Sequence, residues 1–403
     1  MILSASNWQR PHAQAGDAIT ETVKELLAKI RLNGDDAILE CSQQFDGFEP
    51  EIIQLKPFAE YALEDDLSAA LEAAASRIRR FAEFQLKSIC DTSFSDEFGT
   101  YGQRVLPIEN VAGYIPGGRF PLVSTALMTL IPAQVAGCSQ RIAVSPSANK
   151  ALLAAASLAG ATKFIKIGGA QAIAALAYGS RWSAPVDMIV GPGNAYVNAA
   201  KSLVQSFVKI DTLAGPSELL VIADGASKVD YVCLDLLAQS EHDPLALSVL
   251  CSWDKEYLER VESALKTRAQ GQAMLAANTL QLVHADSLEQ AIAFSNNMAP
   301  EHLSVFSEQI TTEQLTQYGA LFLGEQSAVA FGDYCSGPNH TLPTLAKARQ
   351  KGGLYVGDFV KVLSFQKISK SGSEALAKVG KAMARAEGVQ LHYDSMAVRE
   401  RDT

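Results

Sequence analysis

The sequence predicts an α/β fold of two units side by side, each built on a parallel sheet, with helical elements at both ends. Three features carry that expectation. Short apolar runs alternate with alanine-rich helical patterns from residue 141 onward, the signature of βαβ units. Runs end in glycine at Gly168-Gly169 and at Gly191-Pro192-Gly193, where parallel sheets usually hold ligands. The alternation restarts after Gly215, in a chain of 403 residues that has room for two or three domains.

The first third reads helical. Val23, Leu26, Leu27 and Ile30 fall at i, i+3, i+4 and i+7, one apolar stripe. Asn33-Gly34 stops that helix and Asp35-Asp36 starts the next. A longer helix is expected over 67–87, then a polar, aromatic connector over 92–102. In the first α/β unit, strands over 141–145, 163–167 and 188–190 alternate with helices over 150–158, 171–178 and 195–204. The second unit follows the same rule. Its strands cover 219–223, 247–251, 280–283 and 321–323, with helices over 230–241 and 256–269. A helix over 373–387 stands near the end.

Composition narrows the function. Hydrophobic residues make up 48% and charged residues 19%, which marks a globular chain. The formal charge of −10, from 34 basic and 44 acidic residues, argues against binding a nucleic-acid backbone. The six cysteines include no CxxC pair, so neither a thiolate zinc cluster nor a thioredoxin-type motif is expected. Their sparse spread fits a reducing cytosol. The opening residues lack a signal-peptide apolar core, and no run of about 20 apolar residues offers a membrane span.

Polar residues cluster in four short strings. Gln239 and His242 stand i, i+3 at an expected helix end, so both leave one face. Their amide oxygen and imidazole nitrogen suit a borderline divalent metal. Alone, a histidine near a helix C-terminus is ordinary. Glu301-His302 is a candidate acid/base pair, or a surface dipeptide opening a helix after Pro300. Gly332–Pro343 packs Asp333 and His340 into a long polar loop, where Asp333 could be a metal ligand and His340 could donate to substrate; turn chemistry accounts for such a string equally well. His392 follows Glu387-Gly388, a helix stop. His12 and His284 read as bland. No GxGxxG fingerprint and no GxxxxGK[ST] loop is present.

Together these strings resemble the histidinol dehydrogenase family. The resemblance is carried by YIPGG (114–118), GGAQAIAALAYG (168–179), VGPGNAYV (190–197), AGPSELLVIAD (214–224), LLAQSEH (236–242), APEHL (299–303), GDYCSGPNHTLPT (332–344) and NGDDAILECSQQFDG (33–47). It implies a cytoplasmic, zinc-dependent, NAD-linked enzyme that oxidises L-histidinol through L-histidinal to L-histidine, ending histidine biosynthesis. It also implies two incomplete Rossmann-like domains, similar to those of aldehyde dehydrogenases, in an intertwined homodimer. The zinc and catalytic site would lie in a discontinuous domain over 1–113 and 217–354. The inserted Rossmann-like domain would span 114–216, and a tail over 355–403 would reach the partner subunit.

By the same resemblance, Gln239, His242, Asp333 and His392 are zinc ligands, His392 coming from the partner subunit. Glu301 and His302 are the acid/base pair. Ser217, His340 and Glu387 contact substrate together with the zinc ligands and His302. Tyr114, Gln171 and Asn194 contact NAD. Arg119-Phe120 and the string 352–359 look more like paralogues that oxidise other small polar alcohols, such as sulfonated diols, whereas Ser217 leans towards histidinol. A zinc hydrolase using Glu301 to activate water would leave the cofactor-loop strings unexplained.

Overall fold

The computed structural model describes residues 2–11, 17–117, 122–213, 215–241 and 243–401. In chain order, β1 (Ile2–Ser4) precedes α1 (Asp17–Asn33), α2 (Asp35–Phe45), β2 (Glu51–Ile53) and α3 (Asp65–Leu86). β3 (Thr92–Ser95) and β4 (Gly99–Pro107) follow. The first α/β run comprises β5 (Asn110–Tyr114), α4 (Val123–Ala136), β6 (Gln140–Ser145), α5 (Lys150–Leu158), β7 (Lys163–Lys166), α6 (Gly169–Tyr178), β8 (Met188–Val190), α7 (Ala195–Leu203) and β9 (Lys209–Ile210). The second comprises β10 (Glu218–Ile222), α8 (Val229–Ala238), β11 (Leu247–Ser252), α9 (Lys255–Lys266), α10 (Ala269–Ala276), β12 (Leu280–His284), α11 (Leu288–Met298), β13 (His302–Val305), β14 (Ala320–Leu323) and α12 (Val329–Tyr334). The chain closes with β15 (Val360–Ile368), α13 (Lys370–Glu387) and α14 (Gln390–Arg401).

Two six-stranded sheets result. The first runs β2-β7-β6-β5-β8-β9, parallel except for the antiparallel edge strand β2. The second runs β1-β12-β11-β10-β13-β14 and is parallel throughout. Parallel strands are buried on both faces, so they read as unbroken apolar runs. β10 fits this: all five of its residues are buried. Residues of α1, α2, α6 and α7 cover one face of the first sheet, and residues of α3, α4 and α5 the other. In the second sheet α8 and α9 pack on one face and α11 on the other. The helix expected over 150–158 and the strand expected over 188–190 are α5 and β8, residue for residue. Gly34, at φ 60°, separates α1 from α2 as expected.

Two features differ from expectation. The stretch 92–102 is not a connector: β3 and β4 form an antiparallel ribbon that β15 extends along nine residue pairs. All four residues of β3 are exposed, so the alternation that betrays a half-buried strand is missing. The sheets also divide the chain away from the 113/114 boundary. β2 and β5 belong with the segment 140–210, while β1 joins the sheet of β10–β14 and β4 pairs with β15. No helix among the described residues is long and apolar enough to cross a membrane.

Phe164 on β7 is fully buried against the α3–α4–α5 face. Phe164→Ala should therefore lower stability by about 3–5 kcal/mol, read as a lower urea midpoint of the intrinsic tryptophan fluorescence.

Candidate active site

The second sheet reverses direction between β10 and β13: β11 and β12 lie to one side of β10, β13 and β14 to the other. Leu219 pairs with His302 across that switch point. Ligands usually bind such a sheet at the carboxyl ends of its strands. Here the reactive side chains stand at the amino ends. His302 begins β13 and Glu301 immediately precedes it, where a helix start was the competing expectation, and both are buried.

One residue sets both. The Glu218 backbone N–H donates to Glu301 Oε2 at 2.8 Å. The Glu218 carbonyl lies 3.1 Å from His302 Nδ1 and takes that ring's N–H. This fixes the ring so that Nε2 points away from β10, the tautomer a base requires. His302 Nε2 is buried with no hydrogen-bond partner among the described residues. It lies 3.7 Å from Asp333 Oδ1, while Nδ1 lies 3.5 Å from Glu301 Oε2. Burial alone would lower the His302 pKa. The Glu301 carboxylate and then Asp333 more than reverse this, raising it to about 10.

The Glu218 side chain has a separate partner. Its Oε1 pairs with Arg10 Nη1, and Arg10 Nη2 donates to the Met298 carbonyl. Arg349 Nη2 donates to the neighbouring Asn297 carbonyl at 2.5 Å. Two guanidinium groups thus cap the C-terminus of α11, where cations meet the negative end of the helix dipole. Burial and the facing Arg349 bring Arg10 down to about 10. Ala299 then turns the chain in a left-handed conformation, φ 48°, a strained choice for a residue with a Cβ. Pro300 and Glu301 follow directly.

Asp333 lies on α12, not in a free loop, and its carbonyl lies 2.8 Å from His340 Nδ1. His340 Nε2 lies 3.3 Å from Thr125 Oγ1, and Asn339 Nδ2 donates to Met128 O at 2.6 Å. Both partners are on α4, so this loop joins the second unit to the first. Gln239 opens a 3-10 turn after α8 rather than continuing that helix. It is 3% exposed, and its Nε2 has no hydrogen-bond partner among the described residues. Turned end for end, the same amide presents an oxygen. Gln239 and Asp333 thus offer oxygen donors that fit a borderline divalent cation, on elements that pack together, α8 against α12. His242 lies outside the described residues. Among the described residues no three His, Cys, Asp or Glu side chains gather as a metal site.

The first sheet has its own switch point. β6 and β7 lie to one side of β5, β8 and β9 to the other. Tyr114 ends β5, and the loop Gly191–Asn194 follows β8. The Gly169 N–H donates to Tyr114 Oη at 3.2 Å. Burial pushes Tyr114 up to about 12, so the phenol stays protonated. Gln171 Nε2 and the Gly168 N–H both donate to Asp46 Oδ2, at 3.0 and 3.1 Å. Asn194 Oδ1 caps α7 by accepting from the Val197 N–H at 3.0 Å. The N-termini of α6 and α7 open on this edge, and helix N-termini suit phosphate oxygens. Gly191 packs directly on the end of β5: a Cβ there would lie 2.1 Å from Tyr114 O. This edge fits a dinucleotide without a GxGxxG string. Gly118, Arg119 and Phe120 lie outside the described residues.

Ser217 immediately precedes β10 and its carbonyl accepts from the Leu247 N–H. Glu387 ends α13 and His392 lies on α14, both exposed; these helices pack on each other. The structure therefore gathers Glu301, His302, Asp333 and His340, with Ser217 beside them through Glu218. It leaves Glu387 and His392 on the terminal arm. Sequence reasoning missed Arg10, Glu218, Asp46, Thr125 and Asn339. Glu218, Asp46 and Asn339 lie within the strings that carry the resemblance, and Glu218 also leads the apolar run Leu219–Ile222.

A family model described as histidinol dehydrogenase matches residues 9–400. The histidinol dehydrogenase of Thermus thermophilus is 42% identical over 413 residues, covering 99% of this chain and 100% of that protein. That of Aromatoleum aromaticum is 42% identical over 404 residues, covering 95% and 92%. The crystal structure of histidinol dehydrogenase from Elizabethkingia anophelis superposes with TM-score 0.89 at 36% identity, covering 98% of this chain and 94% of that one. An aldehyde dehydrogenase from Brucella melitensis biovar abortus matches at TM-score 0.50 and 13% identity over 90% and 87% of the two chains, a likeness of fold alone.

Asp235 stands one helical turn before Gln239 on α8. Burial raises its pKa from 3.8 to about 6. A carboxyl raised on folding keeps full stability below its unfolded value and loses it as pH climbs from about 4 to about 6. Asp235→Asn should therefore gain about 2 kcal/mol over the parent at pH 7.5, and the gap should close by pH 4 in parallel thermal melts.

Proposed function

The chain belongs to the histidinol dehydrogenase family, and from that premise we propose that it oxidises L-histidinol through L-histidinal to L-histidine with NAD and one zinc ion per subunit. The observation that carries this reading is the Glu301–His302 pair: two adjacent buried acid/base groups, both held by the peptide groups of Glu218. A family member doing two successive oxidations needs two proton acceptors in one place.

Zinc would be held by Gln239, His242, Asp333 and His392 of the partner subunit. When bound, it supplies a Lewis-acidic anchor for the substrate's imidazole and amine. NAD would lie along the edge formed by Tyr114, Gln171 and Asn194. When bound, it supplies the hydride acceptor. The rest falls to the chain's own side chains. In its deprotonated form His302 Nε2 accepts the alcohol proton as hydride leaves the substrate carbon, and passes that proton on to solvent. Glu301 then takes a proton from the water that adds to the aldehyde. His302, having given its first proton to solvent, accepts the proton of the resulting gem-diol in the second oxidation. Ser217 and His340 would orient the substrate. Glu387, again from the partner, offers a carboxylate to the substrate ammonium.

The assembly belongs to the same proposal. β15, α13 and α14 carry exposed Val362, Leu363, Phe365, Val379, Met383 and Leu391, an apolar extent that marks a protein–protein contact. A second copy covering this arm would bring Glu387 and His392 to the neighbouring site. All six cysteines are free thiols, which fits the reducing cytoplasm.

Incubation with zinc, NAD and L-histidinol should form two equivalents of reduced cofactor per histidine, followed at the absorbance of the reduced nicotinamide. Turnover of a sulfonated diol in its place, with none of histidinol, would overturn the substrate. Glu301→Gln should slow oxidation of supplied L-histidinal about 100-fold or more, since a positioned base contributes about 10²–10⁴. The alcohol step should slow far less, and equal loss in both steps would remove the water-activating role.

A further inference from the structure

We propose that the buried Lys201–Asp211 ion pair is a positioning device for the cofactor edge, gripping both peptide groups of Gly191 and thereby setting NAD affinity. This rests on the reading above that NAD binds at the β5–β8 switch point. Both side chains are 1% exposed. Lys201 stands on α7 beside Val197, Ala200 and Val204, all fully buried. A charged pair in such surroundings is a poor stabiliser, because well-packed apolar residues of similar volume often do as well or better. Its presence calls for another reason, and the hydrogen bonds supply one.

β8 ends at Val190, so the peptide groups of Gly191 leave the ladder. Groups buried there without partners would cost the fold. Asp211 Oδ2 accepts from the Gly191 N–H at 2.7 Å, and Lys201 Nζ donates to the Gly191 carbonyl at 2.8 Å. Asp211 Oδ1 takes the other Lys201 bond. Gly191, at φ 111°, is thereby pressed against the Tyr114 carbonyl, where no Cβ would fit. The pair thus sets the spacing between the end of β5 and the loop that leads to Asn194. The anchor is itself latched: Lys351 Nζ donates to Asp211 O at 3.2 Å and Lys347 Nζ to Leu213 O at 3.1 Å. Ser217 and β10 stand further along the chain.

The test uses the full chain loaded with zinc and two variants. The double variant Lys201→Met with Asp211→Leu replaces the pair by apolar side chains. Asp211→Asn keeps Lys201 and removes one charge. NAD affinity is read by calorimetric titration, and KM for NAD and for histidinol by steady-state assay. Both variants should raise the NAD Kd and KM at least tenfold while the histidinol KM moves less than threefold. A pair that served only stability would lower the melting temperature and leave NAD affinity alone. A folded variant with NAD Kd within twofold of the parent overturns the proposal; if the double variant does not fold, Asp211→Asn alone decides. A parent chain that fails to bind NAD would overturn the cofactor reading and this proposal with it.

Discussion

The active site depends on a register. β10 and β13 must pair so that Leu219 faces His302, because only then do the peptide groups of Glu218 meet both Glu301 and His302. A slip of one residue would turn each side chain to the opposite face of the sheet. The register is protected from both ends. Downstream, every residue of β10 and β13 is buried. Upstream, Arg10 joins the Glu218 carboxylate to the end of α11, so the turn Ala299-Pro300 cannot shift without breaking a buried ion pair.

Both sheets contribute their switch points, at opposite edges. The first sheet offers carboxyl ends, with glycine loops and helix N-termini, and these suit a dinucleotide. The second offers amino ends, with a carboxylate and an imidazole, and these suit proton transfer. The loop that carries Asn339 and His340 bonds to α4 of the first unit, so the two edges are tied by side-chain contacts between the units. The likeness to aldehyde dehydrogenases concerns fold; the acid/base pair is read from this chain's own residues.

Much of this was legible in the sequence, for physical reasons. Strands buried on both faces and helices with alanine-rich stripes announce themselves by composition, and α5 and β8 were located to the residue. The β3–β4–β15 ribbon was not, because its exposed residues follow no apolar period. Glu301-His302 was visible only as a weak dipeptide. Its meaning comes from Glu218, 83 residues away from Glu301 in the chain, and no local pattern reports a contact at that distance. Asp333 was read as a loop residue, since a helix as short as α12 leaves little periodicity. Lys201 and Asp211 were passed over because each looks like an ordinary surface charge until the sheet buries both.

The first strand has a bearing on how the molecule comes into being. β1 lies along β12, and Arg10 reaches Met298, 288 positions further on. On a ribosome, those residues emerge well before their partners and wait while the intervening chain is made, their guanidinium solvated and their edge unpaired. The earlier α/β unit can close without them, whereas the later one is sealed by a segment made before either unit. Folding order is thereby inverted relative to synthesis order at the place where chemistry occurs, and the working centre is among the last regions to set.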